Sequence, residues 1–262
     1  MLLNSVIIIL REVLEAAILV SLLLALSFSL RLGARWLLWA ILPALLGIVG
    51  MATFIDTITD AFDGAGQELT NASLQILVYC FSLLIVSVSA GLIIANNKTS
   101  LLRWLMALAV VCALIREGSE IFIYVAGFSS AEELRAAVFI GSGIGASIGI
   151  SLGVLILSGL HALTPARTYQ VTLLLLSFIA AGMVMQATIL LQQVDWLPSG
   201  KPLWNSSHLI SEQSITGELL YAVFGYESTP TTIQVVIYSL SLIGIALPWL
   251  GRNSFWNSKH VD

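Results

Sequence analysis

Residues 6–20 read VIIILREVLEAAILV, which is an Arg-Glu-x-x-Glu motif inside an otherwise apolar run. The same motif returns at residues 110–123, which read VVCALIREGSEIFI. A charge near the centre of a bilayer costs roughly 2.5–3.5 kcal/mol, so six charges cost on the order of 15–20 kcal/mol before pairing offsets part of this. These six residues are Arg11, Glu12, Glu15, Arg116, Glu117 and Glu120. Because charges are so costly inside a membrane, the two motifs are the strongest candidates for the functional site.

The composition is that of a membrane protein. Hydrophobic residues make up 58% of the 262 residues and charged residues only 10%, whereas a soluble domain carries about 25% charged residues. The fold class predicted is all-α and polytopic, with seven apolar segments near the 20 residues that a transmembrane helix needs. The first segment lacks a basic leader and carries three charges, so we interpret it as a permanent helix. The predicted segments are 2–30, 37–55, 69–95, 104–127, 136–160, 169–191 and 231–250.

The distribution of Lys and Arg predicts the orientation in the cytoplasmic membrane. One set of alternate connections carries Arg31, Arg35, Lys98, Arg103, Arg167, Arg252 and Lys259. The other carries only Arg135 and Lys201. We therefore expect the N-terminus outside and the C-terminus in the cytoplasm. Nearly all acidic residues beyond the motifs fall on the outer side, where they either attract cations or form an ordinary solvated surface.

The two motifs are 105 residues apart, and each lies in the first helix of a group of three. An odd number of spans per group inverts the second copy, so an inverted 3+3 repeat is predicted, with the site near mid-membrane where the repeats meet. We expect one transmembrane domain over residues 1–262. It divides into repeat one (about 1–95), repeat two (about 104–191), an outer loop (192–230) with a short helix on the bundle, and an extra C-terminal helix (231–250).

On a helix, the two glutamates of each motif share a face, and each Arg lies four residues before the second Glu. If the two helices cross, four carboxylates and two guanidiniums leave about two negative charges, which protons or a multivalent cation must neutralise. Carboxylates suit hard cations such as magnesium, calcium, manganese or ferric iron. Two other interpretations remain open, a structural latch between helices and a proton relay. Interhelical hydrogen bonds are expected for Gln75 and Gln186, and close packing for the glycines at 141, 145, 149 and 153.

Both motifs resemble the Arg-Glu-Gly-Leu-Glu signatures of the high-affinity iron permeases of the oxidase-dependent iron transporter family, especially its bacterial EfeU-type branch. The resemblance covers nearly the whole chain. Further matches are Gln67-Glu68-Leu69, Ala180-Ala181-Gly182, Leu203-Trp204-Asn205-Ser206-Ser207, Gly217, Phe224-Gly225-Tyr226 and Pro230. Three positions depart from the family pattern. Val13 replaces a motif glycine, Ser119 replaces a motif leucine, and Asn71 stands where relatives often carry a second acid after Glu68.

The resemblance implies a permease, not an enzyme, that moves ferric iron into the cytoplasm between the first and fourth helices. Iron would be the transported ion, with no permanently bound cofactor. A periplasmic or cell-surface partner that oxidises iron is implied, and no nucleic acid. The metal ligands would be Glu12, Glu15, Glu117 and Glu120. Arg11 and Arg116 would hold the carboxylates apart, and Glu68 would capture cations at the outer entrance.

Other functions fit the sequence less well. Another hard cation such as manganese, or a passenger such as lead, could use the same carboxylates. A seven-helix receptor would share the outside N-terminus, but the three lysines (Lys98, Lys201 and Lys259) lie outside the predicted helices, so a retinal Schiff base is excluded. An intramembrane enzyme would need a Ser/His dyad or a metalloprotease motif beside its carboxylates, and neither accompanies them.

Overall fold

The computed structural model describes residues 1–92, 99–129, 132–212 and 214–258. Lys98 and Lys259, which support the predicted orientation, lie outside the described residues. Within these ranges the chain is helical, without a β-strand. The helices are α1 (Leu2–Ser29), α2 (Arg35–Thr53), α3 (Ile55–Asp60), α4 (Gly66–Leu92), α5 (Thr99–Ser129), α6 (Glu132–His161), α7 (Pro165–Gln193), α8 (Ile215–Phe224) and α9 (Thr232–Ser258), with a 3₁₀ turn at Ala61–Gly64.

Each of the seven apolar segments corresponds to a long helix, which confirms the all-α prediction. In the described part of the chain, five helices are long and apolar enough to cross a membrane: α2, α4, α5, α6 and α7. The first helix, α1, has 28 residues but carries the first charged motif. Within α9, the apolar helix Thr232–Pro248 is shorter than these five. Several helices are therefore long and apolar enough to span a membrane, while the count of seven stays a prediction.

Glycines on α6 bring its backbone against α1. A Cβ atom at Gly141 would lie 2.7 Å from the carbonyl oxygen of Leu2, and one at Gly153 would lie 2.8 Å from the Cβ atom of Ala17. The contacts advance together along both helices, so α1 and α6 run parallel. Ser21 adds a hydrogen bond from its Oγ to the carbonyl of Gly153 at 2.8 Å. The predicted packing role of this glycine row is confirmed.

A similar seam joins α2 to α5. Gly47 faces Ile115, and nearer the start of both helices the rings of Trp39 and Trp104 lie 5.1 Å apart, so α2 and α5 also run parallel. The hydrophobic core lies where α1, α4, α5 and α7 meet, and residues such as Leu19, Leu22 and Met106 are fully buried there. Close burial on both helices fixes the relative position of α1 and α5, which carry the two motifs.

The connection between α7 and α9 enters the bundle. Its helix α8 ends at Gly225, which adopts the left-handed conformation (φ 64°) that glycine tolerates. A Cβ atom at Gly182 would lie 2.9 Å from the Gly225 nitrogen, so the two backbones touch. Gly182 lies eleven residues before the end of α7, about 16 Å along the helix. The short helix was predicted to lie on the bundle, but it descends between α1 and α7, because glycines at both positions allow it.

Candidate ion-binding site

Arg116 joins the two motifs. Its Nη1 lies 2.7 Å from Glu15 Oε2 on α1 and 2.6 Å from Glu117 Oε1 on its own helix. Its Nε lies 3.4 Å from Glu120 Oε1, the pair expected from the spacing. The guanidinium is almost fully buried, with 7% of the side chain exposed. One arginine therefore holds three carboxylates from two helices.

Arg11 has different partners. It donates from Nη2 and Nε to Glu12 Oε1, at 2.7 and 3.0 Å. Its Nη1 lies 3.6 Å from Glu218 Oε2 on α8, and its guanidinium carbon lies 5.8 Å from the centre of the Tyr221 ring. The sequence suggested a pair with Glu15, but Arg116 occupies that carboxylate instead. Arg11 remains 30% exposed.

Three of the four motif glutamates are buried, and each has one oxygen that no N–H or hydroxyl donor among the described residues reaches. The side chains of Glu12, Glu15 and Glu117 are 1–2% exposed. One oxygen of each, Oε2 in Glu12 and Glu117 and Oε1 in Glu15, lacks a hydrogen-bond partner among the described residues. The carboxyl groups of Glu12 and Glu117 also lie close enough to interact. Unsatisfied buried oxygens are costly, so the cluster is short of positive charge or protons.

A polar cavity of about 400 Å³ leads to this cluster from the end of the bundle where α1 begins and α7 ends. Its polar wall includes Arg11, Glu12, Glu68, Asn71 and Glu120. Glu68 Oε2 and Asn71 Oδ1 have no partner in the described part of the chain. Asn71 Nδ2 donates to Glu120 Oε1 at 3.1 Å. We call this space the outer cavity, because it lies on the side predicted to be outside.

A second cavity of about 420 Å³ lies on the other side of the cluster, and we call it the inner cavity. Glu12 and Glu117 form one end, and apolar residues reaching to Leu24 on α1 and Leu157 on α6 form the rest. Glu12 lines both cavities. An ion stripped of water is not stable against apolar walls. Of these two cavities, the outer one therefore offers an ion the more favourable approach to the cluster.

The two guanidiniums occupy much of the cluster. No set of three His, Cys, Asp or Glu side chains among the described residues is arranged to hold a metal ion as it stands. The four predicted ligands are neighbours, but an arginine lies against one oxygen of each of them. An ion that takes both oxygens of one of these hydrogen-bonded carboxylates requires a guanidinium to move away from it.

Comparison with known proteins decides the family. Residues 2–250 match the Iron permease FTR1 family. The chain belongs to this family. It is 27% identical over 253 residues to a protein named ferrous iron permease EfeU from Escherichia coli O6:H1, with 90% of this chain and 91% of that protein covered. A protein of the same name from Yersinia pestis is 27% identical over 255 residues, covering 89% and 88%. No solved structure matches the chain significantly.

The sequence did not predict that α8 contributes Glu218 and Tyr221 to this site. Glu218 and Tyr221 lie far along the chain from either motif and belong to no recognised pattern. A short helix was expected in this outer loop, but nothing in its sequence indicated contact with Arg11. The expected hydrogen bond of Gln75 is confirmed, since its Nε2 donates to Gln186 Oε1 at 2.7 Å. Gln186 in turn donates to the carbonyl of Tyr221 at 3.4 Å, which ties α8 to α4 and α7.

Proposed function

We propose that this chain moves iron across the cytoplasmic membrane into the cell through the carboxylate and guanidinium cluster of α1 and α5. The observation that carries the proposal is the set of three buried carboxylates, each with an oxygen that has no hydrogen-bond partner among the described residues, of which Glu12 lines the outer cavity. Glu12, Glu15, Glu117 and Glu120 are the proposed ligands. Arg11 and Arg116 limit the net negative charge, so that the ion is bound without being trapped.

The helix neighbours support the proposed inverted repeat. An exchange of α1 with α5, α2 with α6, and α4 with α7 turns the α1–α6 seam into the α5–α2 seam. Both seams are parallel and built on glycine. The same exchange preserves the contacts of α1 with α5 and of α4 with α7. A site at the repeat interface, reached alternately from two sides, is the arrangement of many secondary transporters.

Glu68 is proposed to collect the ion. It lines the same outer cavity as Glu120. Its substitution Glu68→Gln should raise the iron concentration that gives half-maximal uptake, and leave the maximal rate near that of the wild type. Glu133→Gln, which neutralises an exposed acid at the start of α6, is the matched control. If Glu68→Gln abolishes uptake at every iron concentration, Glu68 belongs to the ligand set and not to the entrance.

The oxidation state of the transported iron has two candidates, ferric and ferrous. The family resemblance predicts ferric iron, delivered by an oxidising partner at the cell surface. The relatives from Escherichia coli and Yersinia pestis are named for ferrous iron. Four carboxylates and two guanidiniums leave two negative charges, which one ferrous ion neutralises. Ferrous iron is therefore the second candidate for the ion bound at the cluster, because its two positive charges match the two excess negative charges.

The test is uptake of labelled iron into vesicles that contain the purified protein. Ferric citrate, ferrous iron under ascorbate, and manganese are compared as separate substrates. Glu12→Gln, Glu15→Gln, Glu117→Gln and Glu120→Gln should each remove uptake, while protein amount and melting temperature show whether the chain still folds. Near-normal uptake by two folded variants would favour the latch between helices. Uptake of manganese alone would identify a different hard cation as the substrate.

A further inference from the structure

One oxygen of the proposed ligand Glu12 is held by a charge that cannot be neutralised, while its Oε2 has no hydrogen-bond partner among the described residues. Arg11 holds Glu12 Oε1 with two hydrogen bonds, at 2.7 and 3.0 Å. A guanidinium does not lose its proton in proteins. A cation that takes both oxygens of Glu12 must therefore displace Arg11 from Oε1, and the displaced guanidinium then needs another partner close by. Its release into a cavity already occupied by a cation would bring two positive charges together.

The structure places such a partner on α8. Glu218 Oε2 lies 3.6 Å from Arg11 Nη1, on the side of the guanidinium away from Glu12. This distance is an ion pair that has not yet closed to a hydrogen bond. The Tyr221 ring, one turn further along α8, lies 5.8 Å from the guanidinium carbon and offers a π face to the same cation. A small rotation of the Arg11 side chain can therefore exchange Glu12 for Glu218.

The neighbouring motif has no equivalent exchange. Arg116 is enclosed by Glu15, Glu117 and Glu120 and is 7% exposed, whereas Arg11 and Glu218 are each 30% exposed. Arg116 can leave one carboxylate only toward another proposed ligand. Arg11 has a partner outside the ligand set. The two motifs read alike in sequence, but only the first is built to release its arginine.

The position of Glu218 is fixed by contacts at both ends of α8. Ser214 Oγ caps the first turn by accepting from the Gly217 nitrogen at 3.0 Å. At the other end, Gly225 packs on Gly182. In between, Gln186 holds the Tyr221 carbonyl at 3.4 Å. These contacts hold α8, and with it Glu218, in a defined position beside Arg11.

We propose that Glu218 and Tyr221 are positioning residues that receive Arg11 when iron takes Glu12. This inference rests on the proposed function and deepens it, since it names the side chains that free the first ligand. Without the Glu218 charge, Arg11 stays on Glu12 and competes with iron. Glu218→Gln should therefore raise the half-saturating iron concentration about two- to five-fold, as expected for a partly exposed ion pair. The maximal rate should stay near that of the wild type.

If Glu218 only attracted cations to the cavity entrance, Glu218→Gln would also raise the half-saturating iron concentration. The same substitution in an Arg11→Met variant distinguishes this explanation from the proposed role. In an Arg11→Met background there is no guanidinium to receive, and Glu218→Gln should leave the half-saturating concentration unchanged. If Glu218→Gln raises it by the same factor in both backgrounds, Glu218 only attracts cations and the inference is wrong. Glu218→Asp, which keeps the charge, should restore most of the wild-type affinity.

Tyr221 gives an independent test that keeps the charge constant. Tyr221→Phe retains the ring and should behave as the wild type, whereas Tyr221→Leu should weaken iron affinity. Equal behaviour of both variants would remove Tyr221 from the proposal. All affinities are measured with ferrous iron under ascorbate and with ferric citrate, by equilibrium binding to the purified protein in detergent and by vesicle uptake. Equilibrium binding covers variants that do not transport.

The same measurements separate this inference from the proposed function. If the wild type neither binds nor transports iron, the proposed function fails. If the wild type binds iron and Glu218→Gln binds it equally well, only the role of Glu218 fails. The control Glu133→Gln removes an exposed acid far from Arg11 and should leave the affinity at the wild-type value.

Discussion

The two arginines show why individual residues of a repeated motif need their tertiary partners before they can be interpreted. Both motifs have the same charges at the same spacing, and the sequence alone assigned both arginines one role. The difference comes from α8, which brings Glu218 to Arg11. The second motif lies against α1 instead, so that Arg116 meets Glu15. Convergence of the four glutamates was predictable from sequence, while the pairing within the cluster was not.

Asn71 is the second residue whose position changes its interpretation. The sequence assigned it to the outer entrance, as the place of a missing acid. It does line the outer cavity, but its side chain also donates to Glu120, one of the proposed ligands. A change at Asn71 should therefore act on the ligand set itself.

We predict opposite effects of Asn71→Asp on stability and on iron affinity. Two carboxylates would then face each other, which destabilises the protein without iron. A bound cation would gain a further hard ligand. The melting temperature of the iron-free protein should fall, and the half-saturating iron concentration should also fall. Thermal melting in detergent and vesicle uptake measure the two effects.

Asn71→Ala is the control for loss of the hydrogen bond alone. It should lower the melting temperature without strengthening iron binding. Should Asn71→Asp bind iron more weakly than Asn71→Ala, the added carboxylate does not reach the ion, and Glu120 is directed away from the site.

At the scale of single helices, the sequence was most informative where periodicity is strong. The predicted first segment, 2–30, matches α1 (Leu2–Ser29) almost to the residue, because apolar runs of membrane length have few alternative structures. The depth of α8 was not predictable. It depends on contact between Gly182 and Gly225, two glycines 43 positions apart whose proximity no local pattern reports.

The α1–α6 seam gives a prediction with a control on the same helix. A Cβ atom at Gly145 would lie 3.0 Å from the Leu10 nitrogen and closer still to the Val6 carbonyl, both of them backbone atoms. Gly145→Ala should therefore force α6 away from α1 and destabilise the protein by about 1–3 kcal/mol. A Cβ atom at Gly143 would have no atom within 4 Å, so Gly143→Ala should have the same melting temperature as the wild type. Equal melting of both variants would show that the seam is looser than described.

The segment around α8 also predicts a pH dependence of stability. Burial, together with the charge of Glu212, raises the pKa of Glu227 to about 7, from an ordinary value of 4.5. The folded protein therefore holds a proton that the unfolded chain releases between these values. Stability from this group is complete below pH 4.5 and is lost as the pH rises toward 7.

Glu227→Gln removes that loss, because the amide stays neutral. Its melting temperature should exceed that of the wild type at pH 8, and the difference should shrink on acidification to pH 5. The exposed Glu133→Gln serves as the comparison and should show no such trend. A difference that is constant from pH 5 to 8 would mean that Glu227 is ionised throughout.

For the whole molecule, the parallel seams restrict the topology. Only five residues, 30–34, connect α1 to α2, and three, 162–164, connect α6 to α7. The end of α1 and the start of α2 therefore share one side of the membrane. The parallel course of α6 with α1, and of α5 with α2, is consistent with the predicted inverted repeat. The structure thus supplies relative directions, and the distribution of Lys and Arg supplies the predicted absolute orientation.

We predict that cysteines at Arg35 and Arg167 are reached only from the cytoplasm, and cysteines at Asp60, Glu133 and Lys201 only from outside. The background should lack Cys80 and Cys112, because Cys80 is exposed and Cys112 partly so. A membrane-impermeant maleimide applied to intact cells should label the outer set, and permeabilised cells should label all five. If Arg35→Cys and Asp60→Cys label from the same side, α2 does not cross the membrane. The two halves then cannot be inverted copies, and a site alternately exposed to the two sides would lose its structural basis.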